Sequence, residues 1–239
     1  MPNADNNLQM SNDDREDYRR IFRKQVFQLL KWGYDRLNAA IYQTAEEEDI
    51  TGDLVKKLDE ITQDRSYPHW VGNLYICEDP RVNVDGRKGK RRQKIDIEFV
   101  RVQHGPRPRF FFEAKRLSAG THATIGKYLG SEGLGEFLAG NYGREDNEAG
   151  MLGYIQSHTP DYWAEKIKNK LLNESDAYQV GADGCWTKKK IIEELEHCYR
   201  KGPQGGVGPS QHIEMKSNTL KISPRYGPIT PFWGVKWAF

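Results

Sequence analysis

Two short apolar runs, residues 94–100 and 109–117, constrain the fold more than any other part of the chain. Both are rich in Ile, Val and Phe, the residues that suit the pleated, half-buried surface of a β-sheet. Between them, residues 104–108 read His-Gly-Pro-Arg-Pro, which favours a turn. The two runs therefore predict neighbouring β-strands.

Successive side chains of a strand point to opposite faces of the sheet. In the first strand, this alternation predicts one apolar face and one acidic face, formed by Ile95, Ile97 and Phe99 and by Asp96 and Glu98. In the second strand, it predicts a group that shares one face, Phe110, Phe112 and Ala114, and a group that shares the other, Phe111, Glu113 and Lys115. Two acids and a lysine are thus expected at the ends of adjacent apolar strands.

Asp96, Glu113 and Lys115 are candidate catalytic residues. A carboxylate is costly to remove from water unless a cation or a hydrogen-bond donor compensates it. The oxygens of Asp96 and Glu113 could together hold a hard divalent cation. Lys115 would project into the same site, where it could orient or activate a water and balance the charge of a phosphate. The alternative is an ordinary solvated pair of an acid and a lysine on one strand face.

An aspartate followed by Glu113-Ala114-Lys115 at the end of the next strand resembles the PD-(D/E)XK nuclease superfamily. Ile95 stands where that family often has proline. Residues 111–117 read Phe-Phe-Glu-Ala-Lys-Arg-Leu, which is similar to nucleases of bacterial defence systems. The resemblance covers roughly residues 40–220. It implies an α/β (mixed α+β) fold of the restriction-endonuclease type, with a central mixed β-sheet flanked by helices.

The resemblance also implies an activity, a Mg²⁺-dependent endonuclease that hydrolyses DNA in defence against foreign DNA. Asp96 and Glu113 would ligate Mg²⁺, which Mn²⁺ could replace, together with the Ala114 carbonyl. Lys115 would position the attacking water and the scissile phosphate. Double-stranded DNA is the expected substrate, and a homodimer or a defence-system partner protein is the expected assembly.

Glu47 is a further expected site residue. The apolar positions of residues 14–42 and 46–61 recur at helical spacing. In the second helix the stripe of Ile50, Leu54 and Leu58 extends back to Glu47, and in this nuclease family an early helix often supplies a further glutamate to the metal. Glu48 is the second choice. Alternatively, acids at a helix start simply complement the helix dipole.

The remaining elements follow in order along the chain. Residues 70–78 should form the first central strand, residues 121–143 one or two short helices, residues 151–157 a strand, and residues 161–172 a helix entered at Pro160. A strand, helix and strand in succession form a crossover, so part of the sheet should be parallel. Residues 211–217 alternate like an edge strand. Gln156 is expected either at the site or on the polar surface.

The densest basic cluster directly precedes Asp96 and consists of Arg87, Lys88, Lys90, Arg91, Arg92 and Lys94. A flexible basic loop can grip backbone phosphates without reading bases, although it can also be a solvated hairpin loop. We expect it at the opposite end of the strand pair from Lys115.

The 239 residues suffice for one large domain. We expect a disordered tail over residues 1–14, the nuclease-like domain over 15–222 and an aromatic tail over 223–239. The net charge of +2 indicates no class of partner. No run is apolar enough to cross a bilayer, and the three cysteines lack Cys-x-x-Cys spacing. We therefore expect a cytoplasmic protein with reduced thiols.

Two rival interpretations remain at this stage. The chain could be a non-catalytic nucleic-acid-binding or assembly subunit on a nuclease-like fold. It could also be a zinc protein that uses Cys185, His197, Cys198 and His212, although their spacing matches no recognised zinc motif.

Overall fold

The computed structural model describes residues 12–82, 90, 92–102, 107–120, 125–139, 149–178 and 214–220. Its centre is a five-stranded sheet whose strands lie in sequence order. The strands are β1 (Leu74–Glu78), β2 (Ile97–Arg101), β3 (Arg109–Leu117), β4 (Ala149–Ile155) and β5 (Glu214–Leu220).

The sheet is mixed. β1, β2 and β3 are antiparallel to one another, β3 and β4 are parallel, and β5 runs antiparallel to β4. The parallel pair is the crossover that the sequence predicts, and the edge strand near residue 214 is also present. The expectation of a mixed α and β protein with a mixed sheet is therefore confirmed.

Helices flank the sheet. They are α1 (Asn12–Asp35), α2 (Glu47–Gln63), α3 (Ile125–Leu129), α4 (Leu134–Leu138) and α5 (Pro160–Asn173), with 3₁₀ turns at Ala39–Tyr42 and His69–Asn73. α5 starts where the sequence predicts, because Thr159 caps it by accepting a hydrogen bond from the Tyr162 amide at 3.2 Å and proline suits the first helical turn. Within the described residues, no helix combines the length and the apolar character that a membrane span needs.

One hydrophobic core lies between the sheet and the first two helices. The apolar stripes of α1 and α2 pack on the strand face that carries Phe110, Phe112 and Ala114. Phe27 of α1 meets Phe110 and Phe112 edge-on, with ring centroids 5.8 and 5.9 Å apart. The apolar stripe of α2 packs on the same strand face. The start of α2 therefore lies near the carboxyl end of β3.

The second core covers the opposite face. There, Phe111 and Met151 of the sheet pack with buried side chains of α3, α4 and α5, among them Tyr128, Phe137 and Trp163. Two helical layers therefore enclose the central strands, and both faces of β3 are apolar until its last residues.

Several expected boundaries are wrong. α1 begins at Asn12 and ends at Asp35 instead of spanning residues 14–42. β1 is an edge strand preceded by a 3₁₀ turn, not a central strand over 70–78. β2 begins only at Ile97, because Asp96 forms a bend. Alternation therefore does not continue across Asp96, and Ile95 packs in the second core, away from Ile97 and Phe99.

Gly150 permits close packing of β4 against the aromatic side chains of β3. A β-carbon added there would overlap the Phe112 ring, whose Cδ1 lies 2.6 Å from that position. We expect Gly150→Ala to lower the free energy of unfolding by about 1–3 kcal/mol. Gly72→Ala is the control, because its nearest neighbour would be the Thr62 carbonyl at 3.9 Å. Urea denaturation of both variants tests this, and equal stability would contradict it.

Candidate functional site

The antiparallel pairing of β2 and β3 brings Asp96 beside the end of β3. Ile97 pairs with Phe112, so the residue before Ile97 lies next to the residues that follow Phe112. Asp96 Oδ2 accepts a hydrogen bond from the Ala114 amide at 2.5 Å. The Asp96 carboxylate thus takes the place of a backbone hydrogen bond just before β2 begins. This bond fixes the position of Asp96 relative to Glu113.

Lys115 bonds three oxygens and so connects two segments of the chain, β3 and the start of α2. Its Nζ donates to Glu113 Oε1 at 2.8 Å, to the Ala114 carbonyl at 2.7 Å and to Glu47 Oε1 at 2.9 Å. Glu113 is buried, with 6% of its surface exposed, and the Lys115 side chain is only 12% exposed. The structure therefore gathers Glu47, Asp96, Glu113 and Lys115 at one end of the sheet.

Glu47 reaches this cluster from the first turn of α2. Ile50, Leu54 and Leu58 of the same helix are buried, so the stripe that they form does lead back to Glu47. The other oxygen of Glu47, Oε2, accepts from the Arg116 amide at 3.1 Å. Glu48, the second choice, is exposed on the cleft wall.

Glu47, Glu113 and Lys115 line a cleft of about 450 Å³ between α2, β3 and the α3–α4 segment, and Asp96 lies behind its wall. Its walls are formed by Glu46, Glu47, Glu48, Gln93, Glu113, Lys115, Arg116, Lys127, Glu132 and Glu136. Six carboxylates thus face three cationic side chains. This excess of acid favours cations over free anions in the cleft.

Both strand-end carboxyl groups are hard to ionise. Burial raises the pKa of Asp96 to about 6, and the nearby Lys115 only partly opposes this rise. Burial and the charge of Asp96 raise the pKa of Glu113 to about 8. The pair thus has the electrostatic character of a site that lacks enough positive charge.

Lys115 stays a cation in this setting. Burial lowers the pKa of its ammonium group, but the carboxylates of Glu113, Glu47 and Asp96 raise it more, and the net shift is upward. A protonated lysine donates hydrogen bonds and cannot accept a proton. Orientation of a ligand and charge balance therefore fit the geometry of Lys115, whose ammonium donates to three oxygens.

The carboxylate oxygens of Asp96, Glu113 and Glu47 are of the type that binds a hard divalent cation. Glu113 Oε2 is buried without a hydrogen-bond partner, and a cation would satisfy it and favour ionisation of both acids. Within the described residues, no group of three or more His, Cys, Asp or Glu side chains is already arranged as a metal-binding set. Instead, the Lys115 ammonium stands among the Glu47, Glu113 and Ala114 oxygens.

The described residues of the basic cluster, Lys90, Arg92 and Lys94, precede β2 at the same end of the strand pair as Lys115, so the expectation of the opposite end is wrong for them. The start of an antiparallel strand lies beside the end of its partner, and Gln93 lines the cleft together with Lys115. Lys90 and Lys94 are exposed, and Lys94 pairs with Asp79. Arg92 is partly buried. Arg87, Lys88 and Arg91 lie outside the described residues.

Sequence reasoning missed two residues near the site and left a third open. Asp79 contributes to the raised pKa of Asp96, and the Arg116 guanidinium donates to the Ala45 carbonyl at 3.2 Å and to Glu46 Oε1 at 3.0 Å. Gln156 contacts the chain that leads into α2. No local pattern marks these contacts, since their partners are distant in sequence. The four residues considered for zinc, and residues 223–239, lie outside the described part.

Comparison with models of known protein families, with curated proteins and with solved structures found no match. A function for this chain is therefore inferred from the geometry of the site and from the resemblance in the motif.

The raised pKa values predict how stability depends on pH without divalent cations. The folded protein holds protons on Asp96 up to about pH 6 and on Glu113 up to about pH 8, whereas the unfolded chain releases them near pH 4. The stability that these two protonated groups contribute should be greatest below about pH 4 and be lost as the pH rises through about 6 and 8. Calorimetric melting in EDTA should show this decline, and Glu113→Gln should make it shallower.

Mg²⁺ provides the matching test, because a cation favours the ionised carboxylates. We expect Mg²⁺ to raise the melting temperature more at about pH 8.5 than at about pH 5.5. Equal slopes for the wild type and Glu113→Gln in EDTA, or no effect of Mg²⁺ at the higher pH, would contradict the assignment.

Proposed function

We propose that this chain is a Mg²⁺-dependent endonuclease that hydrolyses the phosphodiester bonds of DNA, on a site of the PD-(D/E)XK type. The observation that carries the proposal is the buried Glu113 carboxylate at the end of β3. One of its oxygens has no partner, the other binds Lys115, and Asp96 lies beside it with a raised pKa. A structural ion pair alone gives no reason for a second buried acid at this place.

Each residue has a role in this proposal. Asp96, Glu113 and Glu47 would hold the cation, and Glu47 also orients Lys115 by accepting its hydrogen bond. Bound Mg²⁺ would supply a water of lowered pKa and neutralise charge on the phosphate. The Lys115 ammonium would hold the attacking water and the scissile phosphate by charge and hydrogen bonds. The hydrophobic layers on both faces of β3 keep these groups in a fixed arrangement.

The proposed substrate is DNA, held through its backbone phosphates. The exposed basic side chains before Asp96 suit contacts with backbone phosphates, and their place at the Lys115 end of β3 supports a path for DNA past the cleft. The carboxylates of the cleft wall repel phosphates, so substrate binding near the site should require divalent cations. Double-stranded DNA, a cytoplasmic role in bacterial defence, and a homodimer or partner protein belong to the same proposal through the motif resemblance.

A second candidate function is a non-catalytic nucleic-acid-binding or assembly subunit. The observation that favours it is the arrangement of Lys115, whose ammonium already has three acceptors among the site oxygens. In that case the lysine would serve as a structural counter-ion, and the basic cluster alone would bind nucleic acid.

Cleavage of supercoiled plasmid by the purified protein, in Mg²⁺ or in EDTA, separates the two candidates. We expect nicking or linearisation in Mg²⁺ only. Asp96→Asn, Glu113→Gln and Lys115→Met should each lower the rate by about 100-fold or more, because the first two weaken the hold on Mg²⁺ and the third removes a positive charge at the reacting phosphate.

Glu98→Gln is the matched control. Glu98 is equally buried in the neighbouring strand, but it pairs with Arg109 outside the cluster, so this variant should keep cleaving. Cleavage by Lys115→Met at the wild-type rate would contradict the proposed roles. A plasmid that is shifted on a gel but never cut by the wild type would favour the binding subunit.

A further inference from the structure

The segment that leads into α2 needs support from outside the helix. Glu46 occupies the N-cap position of α2, and its side chain makes no capping hydrogen bond there. The turn just before it is closed by one backbone bond, from the Ala45 amide to the Tyr42 carbonyl at 3.3 Å. Helix starts without a side-chain cap tend to fray. Glu47, one residue further on, therefore depends on other contacts for its position.

Gln156 supplies such contacts from the end of β4. Its side-chain amide Nε2 donates to the Tyr42 carbonyl and to the Ala45 carbonyl, each at 2.8 Å. An amide nitrogen has two protons, so both are used on this one segment.

Gln156 is itself fixed to the sheet. Its backbone amide donates to the Leu117 carbonyl at 2.9 Å, which extends the parallel pairing of β3 and β4 by one step. The side chain therefore projects from a rigid point next to the end of β3. Through it, the end of the strand that carries Glu113 and Lys115 is joined to the segment that carries Glu47.

Arg116 reinforces the same segment from β3. Its guanidinium bonds the Ala45 carbonyl and Glu46, and its backbone amide bonds Glu47 Oε2. The Ala45 carbonyl thus accepts from both Gln156 and Arg116, which fills its two lone pairs.

We propose that Gln156 is a positioning residue, whose amide holds residues 42–45 and thereby sets the Glu47 carboxylate against Lys115. The effect on cation binding depends on the proposed nuclease site, but the positioning of α2 does not. Groups that orient ligands typically change metal affinity by about 10–100-fold when they are lost. The sequence gives Gln156 no such role.

Gln156→Met tests the proposal because it keeps the length of the side chain and removes both donors. Gln63→Met is the matched control, since Gln63 lies at the far end of α2 and bonds only Asp59. Hydrogen exchange should show faster exchange of the Ile50 amide, which donates to the Glu46 carbonyl, in Gln156→Met and not in Gln63→Met. Unchanged exchange in Gln156→Met would overturn the proposal whatever the activity of the protein.

Mg²⁺ titration calorimetry on the whole chain gives the second readout. We expect Gln156→Met to weaken Mg²⁺ binding by about tenfold, with the cleavage rate at saturating Mg²⁺ reduced far less. In a Glu47→Gln background the same substitution should have no further effect, because the two residues act through one carboxylate. Additive losses would overturn the role through Glu47. Absence of Mg²⁺ binding and cleavage in the wild type would instead reject the nuclease, while the exchange result still decides on positioning.

Discussion

The Lys115 ammonium group lies within 2.9 Å of oxygens from Glu47, Glu113 and Ala114. It compensates carboxylates that the hydrophobic layers have removed from water. A buried acid without such compensation is costly, and removal of one partner of a buried pair is strongly destabilising. The end of β3, the start of α2 and the bend at Asp96 therefore depend on one another through this charge.

Lys115 compensates the negative charge of these carboxylates only in part, and a bound cation could compensate the rest. One oxygen of Glu113 remains without a partner, and the pKa values of Asp96 and Glu113 are raised to about 6 and about 8. Perturbed pKa values concentrate at functional sites, although structural ion networks also produce them. The mixed sheet explains how Asp96 and Glu113 meet. The antiparallel strand β2 begins at the same end of the sheet where the parallel strands β3 and β4 end.

The sequence predicted the local features well. Alternation in residues 109–117 placed Phe110, Phe112 and Ala114 in one core, and helical spacing led from Ile50 back to Glu47. The predicted alternation was wrong at Asp96, where the chain leaves the regular strand. Asp96 bends the chain to bond the Ala114 amide, and this reversed the expected face of Ile95.

The sequence also did not predict the contacts between segments that are distant along the chain. The bonds of Arg116 and Gln156 to residues 42–46 span more than 65 positions, and no periodicity reports such distances. The expected place of the basic cluster was wrong for a different reason. In a hairpin of these two strands, the residues before Asp96 lie beside the end of β3 and not away from it.

The most direct test of the central claim is a crystal structure of the wild-type protein soaked in Mn²⁺, with anomalous diffraction measured at the manganese edge. We expect an anomalous peak in contact with Asp96 and with Glu113 Oε2, and a Lys115 ammonium moved away from Glu113. A well-ordered site without a peak, with Lys115 still bound to Glu47 and Glu113, would contradict it and leave the lysine as a structural counter-ion.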